Sequence, residues 1–573
     1  MTNVHRHRAV RRFIVAALLA LSSNASAALQ IAENQLGYLP NAAKSVRLLS
    51  DRKRAAIKYS LRGRQLSKTG KSSAFTFEPL AQTWVATIDL SDIRQVGNHV
   101  LRVGDQTVDI IVADTVYRNV LQKLLRSYFL QRCGVALADG YTGLEHLKCH
   151  HEDGVVDRSN EIDDGGTRID ASGGWHDAGD YGKYVSTTAV ALIELLHQYE
   201  SFPRFFANIN QYTPANQNGV PDILDEAIVG LNWLTKMQRG DGAFYRKLSG
   251  KSWPKLVPPD QDNQTRWLFG IATDDTAKAV AALAAGSRVL KRISPTASRR
   301  YMKAAKRGWR YLEKHPDFEI DLGEEDDKGS GPYRANKIDK EPSLSNDRDD
   351  RIAAAVELYF TARDSRYLKA VSNDLQQAPI DLFEWKNPSL IAIARLLHGK
   401  PPRGYADTLA GLRERVVARA DEAIERTESN RFGLANLRIV WGSNKMIAEE
   451  GNLLLLAYGI TADDKYLAAA AAQLHYLFGS NPQRLVFVTG VGLRRVEHIS
   501  HIFARAEKLD IPGLFVGGAN ELAQAGIAPK DAALLSYADD GASYATNEYA
   551  IDYNSALIAL LGNMMNANES LYP

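Results

Sequence analysis

The stretch YADDGASYATNEYAIDYNS, Tyr537–Ser555, is the part of this chain from which its architecture and chemistry can be predicted. An apolar helical pattern runs from Asn547 to Met565, and Glu548 stands near its start, beside aromatic residues. Apolar surroundings raise the pKa of a carboxyl group, so Glu548 suits a general acid. The position equally suits a glutamate that only stabilises a helix N-terminus. The local sequence leaves both interpretations open.

A second acidic element, GGWHDAGD, spans Gly173–Asp180. Asp177 and Asp180 stand three residues apart among glycines, and a packed core gains little from such a polar run. The segment is therefore expected to be a loop that exposes its carboxylates. Paired acids in a fixed geometry are what general-base catalysis requires. Solvated turn residues or helix caps are the simpler explanation for such a pair taken alone.

The first 27 residues predict a secretory signal peptide. Arginines precede an apolar run from Phe13 to Leu21 that is too short to span a bilayer, and Ala25–Ala27 supplies small residues for cleavage. Removing residues 1–27, with their four arginines and no acids, would lower the formal net charge from +3 to −1. That charge gives no argument for binding nucleic acid or a membrane surface. We expect a secreted or periplasmic protein with an uncharged substrate.

The rest of the chain divides into two regions with different periodicity. Residues 28–113 predict a small β-sandwich domain from short alternating or β-branched segments, namely Ser45–Leu49, Trp84–Ile88 and Val108–Val112. Residues 114–573 predict paired helices that close into a toroid, with function on loops at one end. The helical patterns are Tyr184–Tyr199, Pro221–Met237, Ala277–Leu290, Ser298–Glu313, Asp350–Thr361, Leu390–Leu397, Gly451–Tyr458, Lys465–Phe478 and Asn547–Met565.

The C-terminal stretch resembles, residue for residue, the active-site signature of glycoside hydrolase family 9, the inverting cellulases. The matching positions are Tyr537, Asp539, Tyr544, Glu548, Ala550, Asn554 and Ser555. The segment GGWHDAGDYGKY is similar to the N-terminal acidic motif of the same family, and three further segments are similar to it: Asn218–Ala227, Val440–Asn444 and Pro512–Gly518. The turn at Asn34–Pro40 resembles the start of the immunoglobulin-like domain found in one branch of the family.

This resemblance implies a mainly α fold, an (α/α)6 barrel preceded by a small immunoglobulin-like β-sandwich. It also implies that Asp180 is the general base, that Asp177 helps to hold the attacking water, and that Glu548 protonates the leaving oxygen. Inverting hydrolases need the acid and the base about 6.5–9.5 Å apart, with room for a water. Only a fold that joins distant segments could place Asp180 and Glu548 in this way.

The two cysteines of the chain allow a metal site. Cys133, Cys149, His150 and His176 form a set suited to a tetrahedral zinc, and four protein ligands would make that zinc structural. The immunoglobulin-bearing branch of the family is similar in carrying zinc at matching positions. His151 could replace His150, and a Cys133–Cys149 disulfide is the alternative. A zinc would tether the catalytic loop through His176.

Other positions predict ligand contacts less specifically. Asp349 and Asp350 resemble a calcium-binding turn of the family, although an exposed acidic loop explains them equally well. Aromatic side chains that could stack on sugar rings, or equally belong to the core, are Trp175, Trp441 and Tyr544.

The chain departs from the family at a sugar-contacting His-His-Arg triplet. The corresponding region, Val488–Arg505, lacks it, and His501 and Arg505 are the residues expected to substitute. Because a site that hydrogen-bonds a particular hydroxyl discriminates strongly, the sugar accepted could differ from unmodified cellulose. We predict an inverting hydrolase of β-1,4-glucan or related oligosaccharides. The alternatives are a hydrolase of another β-linked sugar, such as a chito-oligosaccharide, and a catalytically silent glycan-binding protein.

Overall fold

The computed structural model describes residues 29–140, 142–209, 218–323, 345–400 and 403–567. The predicted signal peptide lies outside these described residues. Among the helices in the described ranges, none combines the length and the apolar character needed to cross a membrane.

Two antiparallel four-stranded sheets form the N-terminal part of the chain. Their strands are β1 (Gln30–Ala32), β2 (Ser45–Ser50), β3 (Lys58–Arg62), β4 (Ser67–Lys71), β5 (Thr76–Glu78), β6 (Thr83–Asp89), β7 (Gly97–Val103) and β8 (Gln106–Val112). One sheet has the order β1-β2-β6-β5 and the other the order β4-β3-β7-β8. Alternate residues of β7 point inward, and Leu48, Ile88, Leu61 and Leu101 fill the core between the sheets.

The remaining described part of the chain is mainly helical. Its helices are α1 (Arg118–Leu130), α2 (Val185–Ser201), α3 (Pro203–Ala207), α4 (Asp222–Lys236), α5 (Thr273–Val289), α6 (Pro295–Lys314), α7 (Arg348–Ala362), α8 (Arg366–Ala370), α9 (Ser372–Gln377), α10 (Ser389–His398), α11 (Ala406–Ser429), α12 (Ser443–Thr461), α13 (Asp464–Leu477), α14 (Ile502–Glu507), α15 (Tyr544–Asn547) and α16 (Ile551–Met565). Short strands β9 (Leu137–Asp139) and β10 (Leu144–His146) pair as a hairpin. A small sheet joins β11 (Val155–Val156), β12 (Lys183–Tyr184), β13 (Tyr245–Ser249) and β14 (Trp267–Ile271).

In the described part of the chain, a connected inner layer of the barrel contains six helices: α2, α5, α7, α10, α12 and α16. Within it α2 packs against α5 and α16, α7 against α5 and α10, and α12 against α16. Composition explains this placement, because α5 is rich in alanine and buried almost all round, whereas α6 buries one face and exposes a charged one. The predicted fold, an (α/α) barrel with an immunoglobulin-like domain before it, is confirmed.

One predicted helix is shorter than its sequence pattern. The pattern from Asn547 to Met565 divides, because α16 starts only at Ile551. Glu548 has extended backbone angles (φ −87°, ψ 143°) and forms a parallel bridge with Ser500. Tertiary pairing with a neighbouring segment therefore overrides the local helical periodicity, and it moves the glutamate out of the helix.

The β-sandwich packs against the barrel through polar contacts around Gln35. Its amide nitrogen donates to the carbonyl oxygens of Arg484 and Arg494, 3.1 Å from each, and its amide oxygen accepts from the N–H groups of Leu493 and Arg494. A single side chain of the sandwich thus braces the segment that leads into the loop beside Glu548.

Candidate active site

The two acidic segments meet where α2 and α16 begin. The N–H of Ile551 donates to the carbonyl oxygen of Asp177 at 2.8 Å, and Ala178 and Ala550 form an antiparallel bridge. Asp177 and Asp180 are 8% and 5% exposed, so their loop is a packed structure, contrary to the open loop expected from sequence. The fold brings together segments that are more than 350 residues apart in the chain.

Gly179 lies directly beneath the Glu548 carboxyl group. A Cβ atom on Gly179 would stand 2.2 Å from the carbonyl oxygen of Ser500 and 3.1 Å from Glu548 Oε1. The N–H of Ile502 also donates to the Gly179 carbonyl oxygen at 2.7 Å. Because real Cβ atoms do not approach backbone oxygens this closely, the contact requires glycine here. The glycine between the two aspartates therefore allows the acidic segments to touch.

Burial and neighbouring carboxylates control the protonation of the site. Burial is the largest cause that raises the pKa of Glu548 well above its ordinary value, and Asp180 and Asp177 raise it further. Burial also raises the pKa of Asp177 well above its ordinary value, with Asp552 and Asp180 adding to the effect. Close carboxylates in a poorly hydrated site resist ionising together. The arrangement therefore favours the protonated forms of Glu548 and Asp177.

Two polar contacts stabilise Asp177 and the neighbouring Asp552. The Thr187 hydroxyl, in the first turn of α2, donates to Asp177 Oδ1. The Lys445 ammonium lies 2.9 Å from Asp552 Oδ2, and both side chains are buried. This positive charge lowers the pKa of Asp177, against the burial effect. Both supporting residues lie outside the acidic motifs, so sequence reasoning missed them.

Tyr184 is a further site residue that sequence reasoning missed. Burial raises the pKa of its phenol well above the ordinary value, and Asp180, Asp177 and Glu548 raise it further. The phenol is therefore neutral and stands close to all three carboxylates. It is the last residue of the motif GGWHDAGDYGKY, which was the available signal.

The aromatic residues predicted to stack on sugar separate into two groups. Trp441 and Tyr544 lie with ring centroids 5.4 Å apart, and Tyr544 is 40% exposed. Trp175 is fully buried, packs edge-on against Tyr128 and donates from its indole N–H to Glu226 Oε2 at 3.3 Å. The sugar-contact prediction for Trp175 is wrong, because its ring has no exposed face.

The prediction that His501 contacts the sugar is also wrong. Its side chain is buried, its Nδ1 accepts from the N–H of Ala504 at the start of α14, and its Nε2 lies 2.7 Å from the Gln131 amide. Burial lowers its pKa to about 3, so the ring is neutral. His501 caps a short helix. Arg505, at the end of that helix, is exposed and comes close to Gly541 in the signature segment.

Asp539, another signature residue, supports the loop beside Glu548. Its carboxylate accepts from the N–H groups of Glu497 and His498, at 3.0 and 2.9 Å, and from the Asn547 amide at 3.0 Å. The Asn547 amide also donates to the His498 carbonyl oxygen at 2.6 Å. These contacts hold the segment that carries Ser500 against the backbone at Glu548.

The predicted metal set comes together as one buried cluster. The candidate ligand atoms of Cys133, Cys149, His150 and His176 all lie within 4.8 Å of one another. His150 Nδ1 stands 3.6 Å from Cys133 Sγ and 3.2 Å from His176 Nε2. Both cysteines are free thiols in this structure, which does not support the disulfide alternative. Burial lowers the pKa of His176 to about 4, so its ring is neutral, as a metal ligand must be.

Asp349 and Asp350 do not form the exposed loop considered from sequence. Both are buried in the first turn of α7. The Lys278 ammonium lies 2.9 Å from Asp350 Oδ1 and 3.1 Å from Asp274 Oδ2. Lys278 is shared between two carboxylates, and burial together with the neighbouring acids raises the pKa of Asp349 and of Asp350. The calcium site stays a prediction.

A partly buried acid group beside an aspartate loop, at one end of an (α/α) barrel, is an arrangement that fits a glycoside hydrolase. Residues 117–561 match glycosyl hydrolase family 9, and residues 26–108 match the cellulase N-terminal ig-like domain. The chain belongs to glycosyl hydrolase family 9, and the resemblance noted in its motifs is confirmed.

Known relatives cover almost the whole chain. The xyloglucan-specific endo-beta-1,4-glucanase BoGH9A of Bacteroides ovatus is 28% identical over 557 residues, which are 93% of each protein. The crystal structure of a metagenome-derived family 9 endoglucanase is 35% identical, with a TM-score of 0.87, and covers 94% of this chain and 99% of that one. A Zn-binding triple mutant of the family 9 endoglucanase J30 is 32% identical, with a TM-score of 0.85, over 92% of this chain and 99% of that one.

Proposed function

We propose that this enzyme hydrolyses β-1,4-linked glucan, or oligosaccharides related to it, with inversion at the anomeric carbon. The observation that carries the proposal is the position of the Glu548 carboxyl group over the Gly179 backbone, beside Asp177 and Asp180. A pair of carboxyl groups, one acting as acid and one as base, is the machinery of a glycosidase. Inversion is what the family resemblance implies. The names of the relatives, endoglucanases among them, support a β-1,4-glucan as the substrate.

The proposed reaction uses the three carboxyl groups in different states. Glu548, protonated because of burial and its acidic neighbours, gives its proton to the glycosidic oxygen as the bond to the leaving sugar breaks. Asp180 takes a proton from the water that attacks the opposite face of the ring. Asp177, held by the Thr187 hydroxyl, keeps its own proton and orients that water. Tyr184 stays neutral and can donate to a carboxylate or to the sugar.

Release of reducing ends from a panel of soluble substrates tests this proposal. The panel contains β-1,4-glucan, xyloglucan and chito-oligosaccharides, and NMR follows the anomer that appears first. We expect turnover of a β-1,4-glucan with the α-anomer as the first product. If only chito-oligosaccharides are hydrolysed, they replace β-1,4-glucan as the proposed substrate. Release of the β-anomer first would contradict the proposed inversion. Sugar binding without turnover would favour the glycan-binding alternative.

Trp441 and Tyr544 are proposed to form a platform for a sugar ring. Tyr544→Ala should raise KM about 3- to 10-fold and change kcat less, because ring stacking is worth about 0.5–1.5 kcal/mol. The measurement is steady-state kinetics on a soluble oligosaccharide. Phe77→Ala, at a partly exposed aromatic of the β-sandwich, is the control and should leave KM unchanged. An unchanged KM in Tyr544→Ala would remove the residue from the substrate site.

We propose that the cluster of Cys133, Cys149, His150 and His176 holds a structural zinc. Tetrahedral zinc, at about 2.3 Å from sulfur and 2.0–2.1 Å from nitrogen, requires about 3.6 Å between sulfur and nitrogen and about 3.3 Å between two nitrogens. The corresponding separations here are 3.6 and 3.2 Å, which fit. Bound zinc would be a fixed cross-link between the segments of its ligands. His176 directly precedes Asp177, so the link would stiffen the catalytic loop.

Removing the metal should destabilise the protein without abolishing its acid/base chemistry. Saturation with free zinc 1,000-fold above Kd is worth about 4 kcal/mol, so a strong chelator should lower Tm and zinc should restore it. Elemental analysis and thermal unfolding measure the effect. Cys149→Ser should unfold at a lower temperature and respond little to the chelator. The proposal would be contradicted if the purified protein contained no zinc and if its Tm changed neither with the chelator nor with added zinc.

We further propose that the protein is secreted or periplasmic and that its domains span residues 28–113 and 114–573. The arginines and the apolar run within residues 1–27 support export. N-terminal sequencing of protein from an exporting host tests the export proposal, and a mature N-terminus close to residue 28 is the expected result.

A further inference from the structure

The two ring nitrogens of His150 face different partners. Nδ1 points into the cysteine and histidine cluster, 3.6 Å from Cys133 Sγ. Nε2 points away from it, 3.4 Å from Asp262 Oδ2, and the two side chains are only 1% and 6% exposed. A histidine that binds metal through one nitrogen usually donates the other N–H to a carboxylate or carbonyl. The buried carboxylate of Asp262 is in the position that this role requires.

Asp262 is held in place by its own neighbours. The Gln264 amide donates to both of its carboxylate oxygens, at 3.1 and 3.2 Å. A short 3-10 turn, Pro259–Gln261, ends immediately before it. On the other side of the contact, the backbone of His150 is left-handed, with φ 42°, an uncommon conformation for a residue other than glycine. Both partners are therefore set by local structure before any metal binds.

The Asp262 carboxylate offsets a positive charge beside the cluster. Two cysteine thiolates would neutralise the charge of a zinc ion. Asp153 lies nearby and is paired with the Lys183 ammonium at 2.8 Å and with the Arg266 guanidinium at 2.9 Å. This triad alone carries one positive charge in excess, and the Asp262 carboxylate cancels it. A buried site without net charge costs the least to desolvate.

We propose that Asp262 is the positioning residue of this metal centre. Its carboxylate accepts the Nε2–H of His150 and thereby leaves Nδ1 bare toward the metal. The inference rests on the proposed zinc site and adds a residue to it from a segment that contributes none of the four ligands.

The contact between His150 and Asp262 also links two loops, the segment Val257–Asp262 and the loop that carries Asp177 and Asp180. Tyr181, the neighbour of Asp180, donates from its hydroxyl to the Val257 carbonyl oxygen at 2.6 Å. Its ring packs beside the rings of both His150 and His176, with centroids 5.5 and 5.0 Å away. The segment from Val257 to Asp262 is thus attached to the catalytic loop twice, through Tyr181 and through the metal centre. Loading of the metal should stiffen both loops together.

Zinc affinity of the full-length protein, measured by competition with a chromophoric chelator, tests the inference. Asp262→Ala should weaken zinc binding about 10- to 100-fold, and Asp262→Asn, which keeps an acceptor oxygen without the charge, should weaken it less. Asp260→Ala is the matched control. Asp260 lies in the same turn, and its carboxylate accepts from the Leu147 N–H at 3.3 Å, so its loss should leave zinc affinity unchanged.

Thermal unfolding of the metal-free proteins separates positioning from a merely structural role. If Asp262 acts through the metal, its variants and the wild type should have the same Tm without zinc and different Tm values with zinc. Equal zinc affinity in wild type and Asp262→Ala would overturn the inference while leaving the zinc site intact. A wild-type protein that binds no zinc would overturn both. If Asp262→Ala does not fold, Asp262→Asn carries the same comparison.

Discussion

Asp180→Asn should lower kcat on a β-1,4-linked oligosaccharide by about 10²- to 10⁴-fold, the usual contribution of a general base. The amide has nearly the shape of the carboxylate but cannot take a proton from water. Asp180 is buried in a loop that packs on the start of α16, so the isosteric change should leave the fold intact. Initial rates of reducing-end release and thermal unfolding measure the two effects.

Asp170→Asn is the control for this variant. Asp170 lies ten residues earlier, and its exposed carboxylate accepts from the Ser172 hydroxyl and pairs with Lys236. This change should leave kcat within the range of the wild type. Substantial activity in Asp180→Asn, together with complete loss on chelation, would instead support a zinc hydrolase and would remove Asp180 as the base.

Glu548→Gln should also lower kcat on oligosaccharides about 10²- to 10⁴-fold, but with a different dependence on the leaving group. A dinitrophenyl glycoside departs without protonation, so loss of the acid should cost little on that substrate, whereas Asp180→Asn should be slow on both. Comparing the two variants on both substrates assigns the acid and the base separately. An equal loss of Glu548→Gln on both substrates would contradict the acid role.

Asp540→Asn is the matched control within the same segment. Asp540 is exposed, and its carboxylate accepts from the N–H of Ala542, so the change should leave activity unaltered. If Asp540→Asn loses as much activity as Glu548→Gln, then any change in this segment impairs the enzyme. The effect of Glu548→Gln would in that case come from disturbed packing and not from loss of the acid.

The raised pKa of Glu548 also predicts the pH behaviour of the enzyme. An acid works only while protonated, so activity should fall as pH rises through this raised pKa, and glutamine should abolish that limb. The same shift affects stability. A carboxyl whose folded pKa lies above its unfolded value stabilises the fold at low pH, and this contribution is lost as pH rises through the folded pKa. At neutral pH Glu548→Gln should therefore unfold at the same temperature as the wild type or above it, as measured by calorimetry.

The sequence was sufficient for the fold and the family because the relevant patterns are short and continuous. Helical periodicity, alternation in the strands and the signature around Glu548 are local patterns. Each of them is recognised within a window of about twenty residues. The four residues of the cysteine and histidine cluster were likewise predicted from residue type, and the structure brings them together. Which sugar is accepted does not follow from these patterns.

Burial and long-range partners were decided only by the tertiary structure. Trp175 and His501 have the residue types of sugar-contacting groups. In the structure, however, the Trp175 indole donates to Glu226 and His501 caps α14. Asp262 and Lys445 gain their roles from segments that fold against them from far along the chain. Sequence determines what chemistry a side chain can perform, whereas its exposure and its neighbours depend on the packing of distant segments, and no local pattern records that packing.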